Sequence, residues 1–527
     1  MVTKLSVVAL ILLVWLSLIG GGCSKDSPVA RTTANGPVEG IIQDSIEVYR
    51  GIPYAEPPVG ENRWREPRPH KPWKENLRCV EFRSSCIQPK VSELEGGGDV
   101  GKTSEDCLYL NIWTPVKREK KRLPVMVWIH GGAFMTGSGS VPIYSGDNLA
   151  RKGVVVVTIN YRLGPFGFLV HPDLSREASD GTAGNYGLKD QIEALKWVKR
   201  NIASFGGDPD RVTIFGESAG AISVGYLLLA PSAKGLFYGA IMQSGAPTTQ
   251  KYVMPSARGS LTQALVTGKE LAKRLGYEAR KDAVREMRMK TPQEIMKAAD
   301  MSLDFIFKNK GLVFAPASDG HFLAGEPDKL VAEGRLHDVP VLLGTNRDEA
   351  SLFTGDISPA EYKDWISINF RNRATTIISR FPGEGVGDLN APANRFLAAL
   401  WFTEPARFLA RSISQKGGRA YLYYFRHVPK YGLIKEFGSF HGQEIEYVFG
   451  NLGKILSTDN DKALSRSIMD YWVNFAATGD PNSQKLTHWP AYDVKRDPHM
   501  ELGTAITAGT GLEKEICDFV EKVRSLK

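Results

Sequence analysis

The sequence predicts an α/β fold, with a large and mostly parallel central sheet that is flanked by helices and enlarged by long insertions. The clearest indication is an ordered series of patterns in the middle of the chain. Residues 187–203 place apolar side chains at the spacing of one helical face, residues 211–215 have the composition of a short strand, and residues 219–230 have that of a buried helix. Two further apolar runs, residues 125–129 and 339–344, are typical of strands. Strands that alternate with helices in this way form a parallel sheet.

Length and composition favour one enlarged domain. The chain has 527 residues, of which 42% are hydrophobic and 24% are charged, and these fractions are typical of a globular protein with a large core. No Pro/Ser-rich linker, fixed-period repeat or low-complexity tract divides it. We therefore expect a single domain over residues 30–525.

The net charge of +8 is spread along the chain, the basic stretch 117–122 is typical of a solvated loop, and no motif for reading DNA or RNA accompanies it. A nucleic-acid partner is not predicted.

A five-residue motif, G-x-S-x-G, stands between the short strand and the helix that follows it. Its glycines are Gly216 and Gly220, and Ser218 lies between them. In this context the motif is typical of the nucleophile elbow of an α/β-hydrolase, a sharp turn that exposes the serine hydroxyl between strand and helix. Since such strings also occur by chance, an ordinary glycine-rich turn is the alternative. The helix, strand and helix around the motif favour the elbow.

A serine nucleophile needs hydrogen-bond donors for the oxyanion that forms when it attacks a carbonyl carbon. Residues 130–134, His-Gly-Gly-Ala-Phe, directly follow the predicted strand at 125–129 and match the HGGG-type loop of lipases and esterases. Ala133 replaces the last glycine but keeps its N–H group. We expect the N–H groups of Gly132, Ala133 and Ala219 to form an oxyanion hole.

Several further segments make the chain resemble the type-B carboxylesterases, a family that includes carboxylesterases, cholinesterases and related lipases. The resemblance implies the α/β-hydrolase fold and the hydrolysis of small carboxylic esters, with neither a metal nor a cofactor. It covers nearly the whole chain beyond its N-terminus. The segments are residues 49–55, 57–60, 63–64, 105–112, 160–164, 205–220 and 243–245.

The resemblance also implies the other members of a catalytic triad. Glu349 follows the predicted strand at 339–344 and matches the family's acid, although from the residues alone Asp348 is equally plausible. His441 follows a predicted strand at 420–428 and matches the family's base. The chain order serine, acid, histidine is that of an α/β-hydrolase. His441 would take the proton of Ser218, and Glu349 would orient the imidazole.

Supporting roles are expected for two residues beside the triad. Glu217, next to the nucleophile, resembles a carboxylate that the family keeps near the triad, and a buried structural acid is the alternative. Ser244 belongs to the family-like segment 243–245. Four aromatic side chains could line an apolar pocket or could simply pack in the core. They are Phe134, Phe166, Trp401 and Phe402.

The resemblance further implies a disulfide between Cys86 and Cys107. Cys79 and Cys517 could form a second bridge or remain two free thiols. Cysteine spacing alone does not fix the pairing.

The N-terminus has the pattern of an export signal over residues 1–22. A positive residue at Lys4 precedes a run of apolar residues, 5–19, and three glycines follow. The run is too short to cross a bilayer comfortably. Cys23 resembles the lipid-attachment cysteine of bacterial lipoproteins, but Gly20 stands where those signals usually carry leucine. Lipid anchoring to a membrane and simple secretion both remain open.

The sequence favours ester hydrolysis over three rival functions. Residues 96–103 match the P-loop pattern, but a strand is expected after them and not the helix that a phosphate-binding loop needs. A choline-ester hydrolase is less favoured because residues 87–106 contain no aromatic side chain for a quaternary ammonium. A non-catalytic adhesion protein of the same family is less favoured because Ser218, Glu349 and His441 are all in place.

Overall fold

One thirteen-stranded sheet organises the protein. The computed structural model describes residues 27–90, 99–117, 121–179, 181–250, 260–278, 280–302, 305–308, 310–430, 433–453 and 457–525. The strands are β1 Ser27–Thr33, β2 Gly36–Gln43, β3 Ile46–Pro53, β4 Leu77–Arg78, β5 Ser85–Cys86, β6 Thr103–Ser104, β7 Tyr109–Pro115, β8 Leu123–Ile129, β9 Val155–Ile159, β10 Gly207–Glu217, β11 Gly239–Gln243, β12 Val341–Asn346, β13 Ala420–Phe425, β14 Pro498–Leu502 and β15 Ile506–Thr510. Strands β5 and β6 form a separate pair.

Helices cover the sheet and fill the insertions. Their bounds in the described residues are α1 Asp147–Arg151, α2 Gly164–Phe168, α3 Pro172–Glu177, α4 Tyr186–Asn201, α5 Ala219–Leu229, α6 Leu261–Arg274, α7 Ala283–Arg288, α8 Pro292–Ala299, α9 Phe305–Lys308, α10 Pro327–Ala332, α11 Ser351–Thr354, α12 Pro359–Phe370, α13 Ala374–Arg380, α14 Pro392–Ala398, α15 Glu404–Gln415, α16 Glu444–Phe449, α17 Asp459–Thr478 and α18 Lys514–Ser525. A π-helical turn, Ala399–Thr403, joins α14 to α15. None of the described helices is both long and apolar enough to cross a membrane.

The middle of the sheet is parallel, and its margins are antiparallel except for the short pair of β2 and β4. Strands follow in the order β1-β2-β3-β7-β9-β8-β10-β11-β12-β13-β14-β15, and β4 pairs with β2. Each neighbouring pair from β9 to β14 in this order is parallel. The predicted α/β class is therefore confirmed, and the parallel strands all end at one edge of the sheet.

The central strands are buried on both faces, which explains their continuous apolar runs. In β8 the side chains of Val125, Val127 and Ile129 join one core cluster, and those of Met126 and Trp128 join the other. Successive side chains of a strand point to opposite faces, so the two clusters lie on the two sides of the sheet.

Strand boundaries differ from the sequence prediction at polar residues. Strand β10 begins at Gly207, not at Arg211, because a shift in register between Gly207 and Val212 lets it pair with β8 before its apolar core begins. Strand β12 extends to Asn346, which pairs with Phe425. The helix predicted at 187–203 ends at Asn201, and a short 3₁₀ turn leads from it to Gly206, where φ is +82°.

The cysteines give one disulfide and two free thiols. Cys86 and Cys107 are bonded, with their Cα atoms 5.0 Å apart, as the family resemblance implies. Cys79 and Cys517 are both buried and free, so the second bridge does not form and these two cysteines remain free thiols. Residues 1–22, Cys23 and the glycine run at 96–98, where the P-loop match begins, lie outside the described residues. Strand β7 follows the P-loop match, as expected.

Candidate active site

The predicted site residues meet at the edge where the parallel strands end. Ser218 follows β10 directly, and Ser244 follows β11. Residues 130–134 follow β8, Glu349 follows β12, and the loop with His441 follows β13. Since parallel strands in register end side by side, segments distant in sequence come together there.

The turn at Ser218 is strained, and the neighbouring strand makes its glycines necessary. Ser218 has φ +54° and ψ −122°, a region that non-glycine residues rarely occupy. A Cβ on Gly220 would overlap the carbonyl oxygen of Ile129, and a Cβ on Gly216 would lie 2.6 Å from that same oxygen. Close approach to β8 thus excludes side chains at both glycines. The Ser218 N–H donates to the Gln243 carbonyl at 2.9 Å, and the residue remains partly exposed.

The predicted oxyanion loop has three successive residues with positive φ. The values are +101° at Gly132, +55° at Ala133 and +60° at Phe134. The N–H groups of Met135 and Thr136 both donate to the Gly132 carbonyl at 2.9 Å. Such tight internal hydrogen bonding holds the unusual backbone.

The loop lies against the nucleophile. A Cβ on Gly131 would be only 3.2 Å from the Cβ of Ser218. Gly132 and Ala133 follow Gly131 directly, and Ala219 begins helix α5 directly after Ser218. Because the first N–H groups of a helix have no partner within the helix, Ala219 is a suitable donor. The convergence of the three N–H groups on one oxyanion stays a prediction.

Glu349, and not Asp348, contacts the histidine. Its Oε2 lies 2.6 Å from His441 Nδ1, and its Oε1 accepts the Asn346 N–H at 2.7 Å. The carboxylate is fully buried. The structure thus separates two adjacent acids that the residues alone left as alternatives, because Asp348 turns to the backbone of Ser439.

The second nitrogen of the imidazole lies beside Glu217. His441 Nε2 is 3.2 Å from Glu217 Oε1, yet within the described chain neither atom has a hydrogen-bond partner. The expected hydrogen bond between Ser218 Oγ and His441 is therefore not formed in this arrangement. Catalytic hydrogen bonds are often long or misaligned without substrate and tighten when it binds. The roles of Ser218 and His441 stay predictions.

Buried carboxylates dominate the electrostatics around His441. Burial alone lowers the pKa of this histidine, but the negative charges of Glu217 and Glu349 outweigh it and raise the pKa to about 9. Burial likewise raises the pKa of Glu217, to about 8. Burial also raises the pKa of the Glu444 carboxyl above its usual value. The site thus favours a proton on the imidazole.

Glu444 and two amides form a polar support that the sequence analysis did not single out. Gln243 Nε2 and Asn346 Nδ2 donate to the two carboxylate oxygens of Glu444, at 2.9 and 2.5 Å. Asn346 Nδ2 also donates to the carbonyl of Phe440, beside His441, at 2.7 Å. Gln243 and Asn346 are the polar last residues of two fully buried strands, a signal that could have identified them.

Ser244 directly follows Gln243, whose carbonyl accepts the Ser218 N–H. It is buried with φ +51°, and its N–H donates to the Gly344 carbonyl at 2.9 Å. Among the described residues, its Oγ has no hydrogen-bond partner. A Cβ on the next residue, Gly245, would lie 2.6 Å from the Ser218 carbonyl oxygen.

Two aromatic rings lie against the imidazole. The ring centroids of Phe402 and Phe353 are 4.7 and 5.2 Å from that of His441. Phe402 lies in the π-helical turn, where the Glu404 N–H donates five residues back, to the Ala399 carbonyl. Pro405 follows at once and has no N–H for regular helical bonding. The predicted pocket residue Phe402 is thus beside the site, and Phe353 was missed.

The other three aromatic residues considered for the pocket pack elsewhere. Trp401 packs against Phe353 at 5.8 Å, one ring away from His441. Phe134 packs against Phe168 at 5.2 Å, and Phe166 lies under the guanidinium of Arg63 at 5.8 Å.

The described residues contain no group of histidine, cysteine and acidic side chains able to hold a metal ion.

Comparison with known proteins places these features in one family. A model of the carboxylesterase family matches residues 26–520. The chain is 38% identical over 500 residues to a para-nitrobenzyl esterase of Bacillus subtilis (strain 168), covering 92% of this chain and 96% of that protein. It is 36% identical over 506 residues to a fumonisin B1 esterase of Sphingopyxis macrogoltabida, covering 93% and 89%. A solved structure of a PNB esterase superposes with a TM-score of 0.80 at 37% identity, covering 93% of this chain and 99% of that one.

The charge of Glu217 should set the acidic limb of the pH profile. With His441 as the predicted general base, which must be neutral to take a proton, activity should fall as the pH drops through the pKa of His441, which Glu217 raises. We expect Glu217→Gln to lower this pKa and to move the acidic limb of kcat/KM to lower pH by about 1–3 units. The measurement is kcat/KM for an uncharged ester between pH 5 and 10.

Glu446→Gln is a matched control for this variant. Glu446 is a carboxyl whose pKa burial also raises, to about 7, but it is not among the groups that act on His441. The pH profile of kcat/KM for Glu446→Gln should follow that of the wild type. An unchanged acidic limb in Glu217→Gln would contradict the electrostatic assignment.

Proposed function

This chain belongs to the carboxylesterase family and is a carboxylic-ester hydrolase, and on that premise we propose that it acts through a triad of Ser218, His441 and Glu349. The observation that carries the proposal is the buried 2.6 Å contact between Glu349 and His441, at the edge of the sheet where the strained turn presents Ser218. An orienting acid, a base and an exposed nucleophile are the parts that acyl transfer needs.

The reaction proceeds in two half-reactions. Ser218 Oγ attacks the ester carbonyl carbon while His441 Nε2 takes its proton, and the N–H groups of Gly132, Ala133 and Ala219 bind the resulting oxyanion. The imidazolium returns the proton to the leaving alcohol, which leaves an acyl group on Ser218. Water then attacks the acyl carbonyl carbon while His441 takes its proton, and the imidazolium returns that proton to Ser218 Oγ as the carboxylic acid is released. Glu349 fixes the imidazole and stabilises its cation throughout.

Ser218→Ala tests the nucleophile. We expect hydrolysis of p-nitrophenyl butyrate to fall by at least about 10⁴-fold, because the substitution removes the oxygen that would accept the acyl group. Thermal melting of the variant should stay close to that of the wild type. A fluorophosphonate probe should label the wild type at Ser218 by mass spectrometry and should not label the variant.

Ser223→Ala provides a matched control. Ser223 is a buried serine of helix α5 that accepts a hydrogen bond from Gln191, and it lies outside the proposed triad. Its variant should keep wild-type turnover and labelling. Equal hydrolysis by Ser218→Ala and the wild type would overturn the proposed mechanism.

We further propose that the preferred esters are uncharged, with an apolar or aromatic group close to His441. The rings of Phe353 and Phe402 offer apolar surface there. Glu217, Glu349 and Glu444 are buried around the same imidazole, so an anionic substrate group would be repelled. The similarity to a para-nitrobenzyl esterase is consistent with this substrate class.

Choline esters are the second candidate, because buried carboxylates and aromatic rings also attract a quaternary ammonium. Butyrylthiocholine and its uncharged isostere 3,3-dimethylbutyl thiobutyrate separate the two candidates, since they differ only in charge. We expect the isostere to have the same or a higher kcat/KM. A preference for the choline ester by more than about 10-fold, near 1.4 kcal/mol, would favour the second candidate instead.

We also propose that the protein is exported. The pattern of residues 1–22 predicts it, and the Cys86–Cys107 disulfide supports it because disulfides persist mainly in oxidising compartments. Cell fractionation and mass spectrometry of the mature N-terminus test the proposal. We expect a chain without residues 1–22 outside the cytoplasm.

The Cys23→Ser variant separates the two modes of export. A lipid-anchored protein would begin at an acylated Cys23 and would lose its membrane association in this variant. A secreted protein would carry no acyl group and would be unaffected. A cytoplasmic chain that retains residues 1–22 would contradict export.

A further inference from the structure

The short segment directly before the proposed base is irregular in structure. Residues 438–440, which lead to His441, belong to neither helix nor strand. Side-chain contacts tie this loop to neighbouring segments. Ser351 Oγ donates to the Phe437 carbonyl at 2.8 Å, and Ser439 Oγ donates to the His427 carbonyl at 2.8 Å. Asn346 Nδ2 donates to the Phe440 carbonyl at 2.7 Å. The position of His441 therefore depends on tethers from neighbouring segments.

A further tether is a reciprocal pair of hydrogen bonds between Asp348 and Ser439. The Asp348 N–H donates to the Ser439 carbonyl at 2.9 Å, and the Ser439 N–H donates to Asp348 Oδ2 at 2.7 Å. We call this pair the 348–439 clasp. Asp348 immediately precedes Glu349, and Ser439 stands two residues before His441. The clasp thus joins the two loops that bring the proposed acid and base together.

The carboxylate of Asp348 is built closely into the loop. Gly438 has φ +68°, and a Cβ at this position would overlap Asp348 Oδ2, so only glycine allows the approach. Arg347 donates to the same oxygen through Nε at 3.0 Å and Nη2 at 2.8 Å. The Arg347 N–H in turn donates to the Phe425 carbonyl at the end of β13. The Asp348 side chain is only 7% exposed, so its hydrogen bonds are shielded from water.

We propose that Asp348 is a positioning residue, whose carboxylate fixes the His441 loop against the Glu349 loop through the 348–439 clasp. It does not touch the reacting atoms. Without its Oδ2, the Ser439 N–H loses its acceptor, and the loop is held less tightly against the Glu349 loop. A displacement of about 1 Å at a catalytic group can cost about 100-fold in rate. The inference rests on the proposed roles of Ser218, His441 and Glu349.

Asp348→Ala and Asp348→Asn test the clasp. We expect kcat of Asp348→Ala to fall by about 10- to 100-fold while KM changes by less than about 2-fold, because the apolar substrate surface is untouched. The pKa of the acidic limb should also fall, since Glu349 raises the pKa of His441 and would lie farther away. Asp348→Asn should recover part of kcat, because its amide oxygen can still accept the Ser439 N–H.

A remote acid with the same local role provides the matched control. Asp493 Oδ1 accepts the backbone N–H groups of Lys495 and Arg496, at 2.8 and 3.0 Å, in a surface turn. Asp493→Ala removes a comparable backbone tether and should leave kcat and the pH profile unchanged. Rates are expressed per reactive serine, titrated with the fluorophosphonate probe, so that misfolded protein does not count.

Two results would overturn the inference. One is a wild-type kcat and pH profile in Asp348→Ala. The other is a loss of kcat with an unchanged pH profile and no recovery in Asp348→Asn, which would mark a purely structural role. Activity that survives in Ser218→Ala would instead contradict the proposed mechanism, so the two failures are distinguishable.

Discussion

The site depends on the short, buried contact between Glu349 and His441. A fully buried carboxylate is costly unless hydrogen bonds and an opposite charge compensate for lost water, and Glu349 obtains both, from the Asn346 N–H and from the imidazole. The same contact fixes which ring nitrogen faces the acid, so the other nitrogen is left for chemistry. The orientation of His441, the proposed base, therefore follows from the need of the buried Glu349 carboxylate for a hydrogen-bond donor.

The parallel sheet makes this contact possible between residues 92 positions apart. Strands β12 and β13 pair in register from Val341 to Asn346, so the loops after them start side by side. Asn346, the last residue of β12, donates to both loops and to Glu444 as well. Burial of both faces of the sheet holds this register, because a slip by one residue would turn every side chain to the opposite face.

The sequence predicted the parts that depend on local pattern. The elbow around Ser218, the helices on either side of it and the strands before the site residues are visible as periodicity, glycines and apolar runs. The choice between Glu349 and Asp348 could not be made from the residues alone, because both follow the same strand and only contacts with residues 439 and 441 separate them. Phe353 and Glu444 were missed for a similar reason, since their roles arise from long-range packing. The resemblance to a family supplied the disulfide pairing, which spacing alone does not determine.

The cluster of acids around His441 affects the proposed chemistry in two opposing ways. As Ser218 loses its proton an imidazolium forms, and the nearby negative charges stabilise that cation, which makes His441 a stronger base. The same charges raise its pKa to about 9, so the neutral, competent imidazole becomes scarcer as the pH falls below that value. The burial of Glu217 weakens both effects as the pH falls. It raises the pKa of this carboxyl to about 8, and below that value a protonated Glu217 no longer stabilises the cation. The burial of Glu217 therefore influences the pKa of His441, the proposed base. Because Glu217 directly precedes Ser218, the turn that presents the proposed nucleophile also places this carboxyl beside the imidazole.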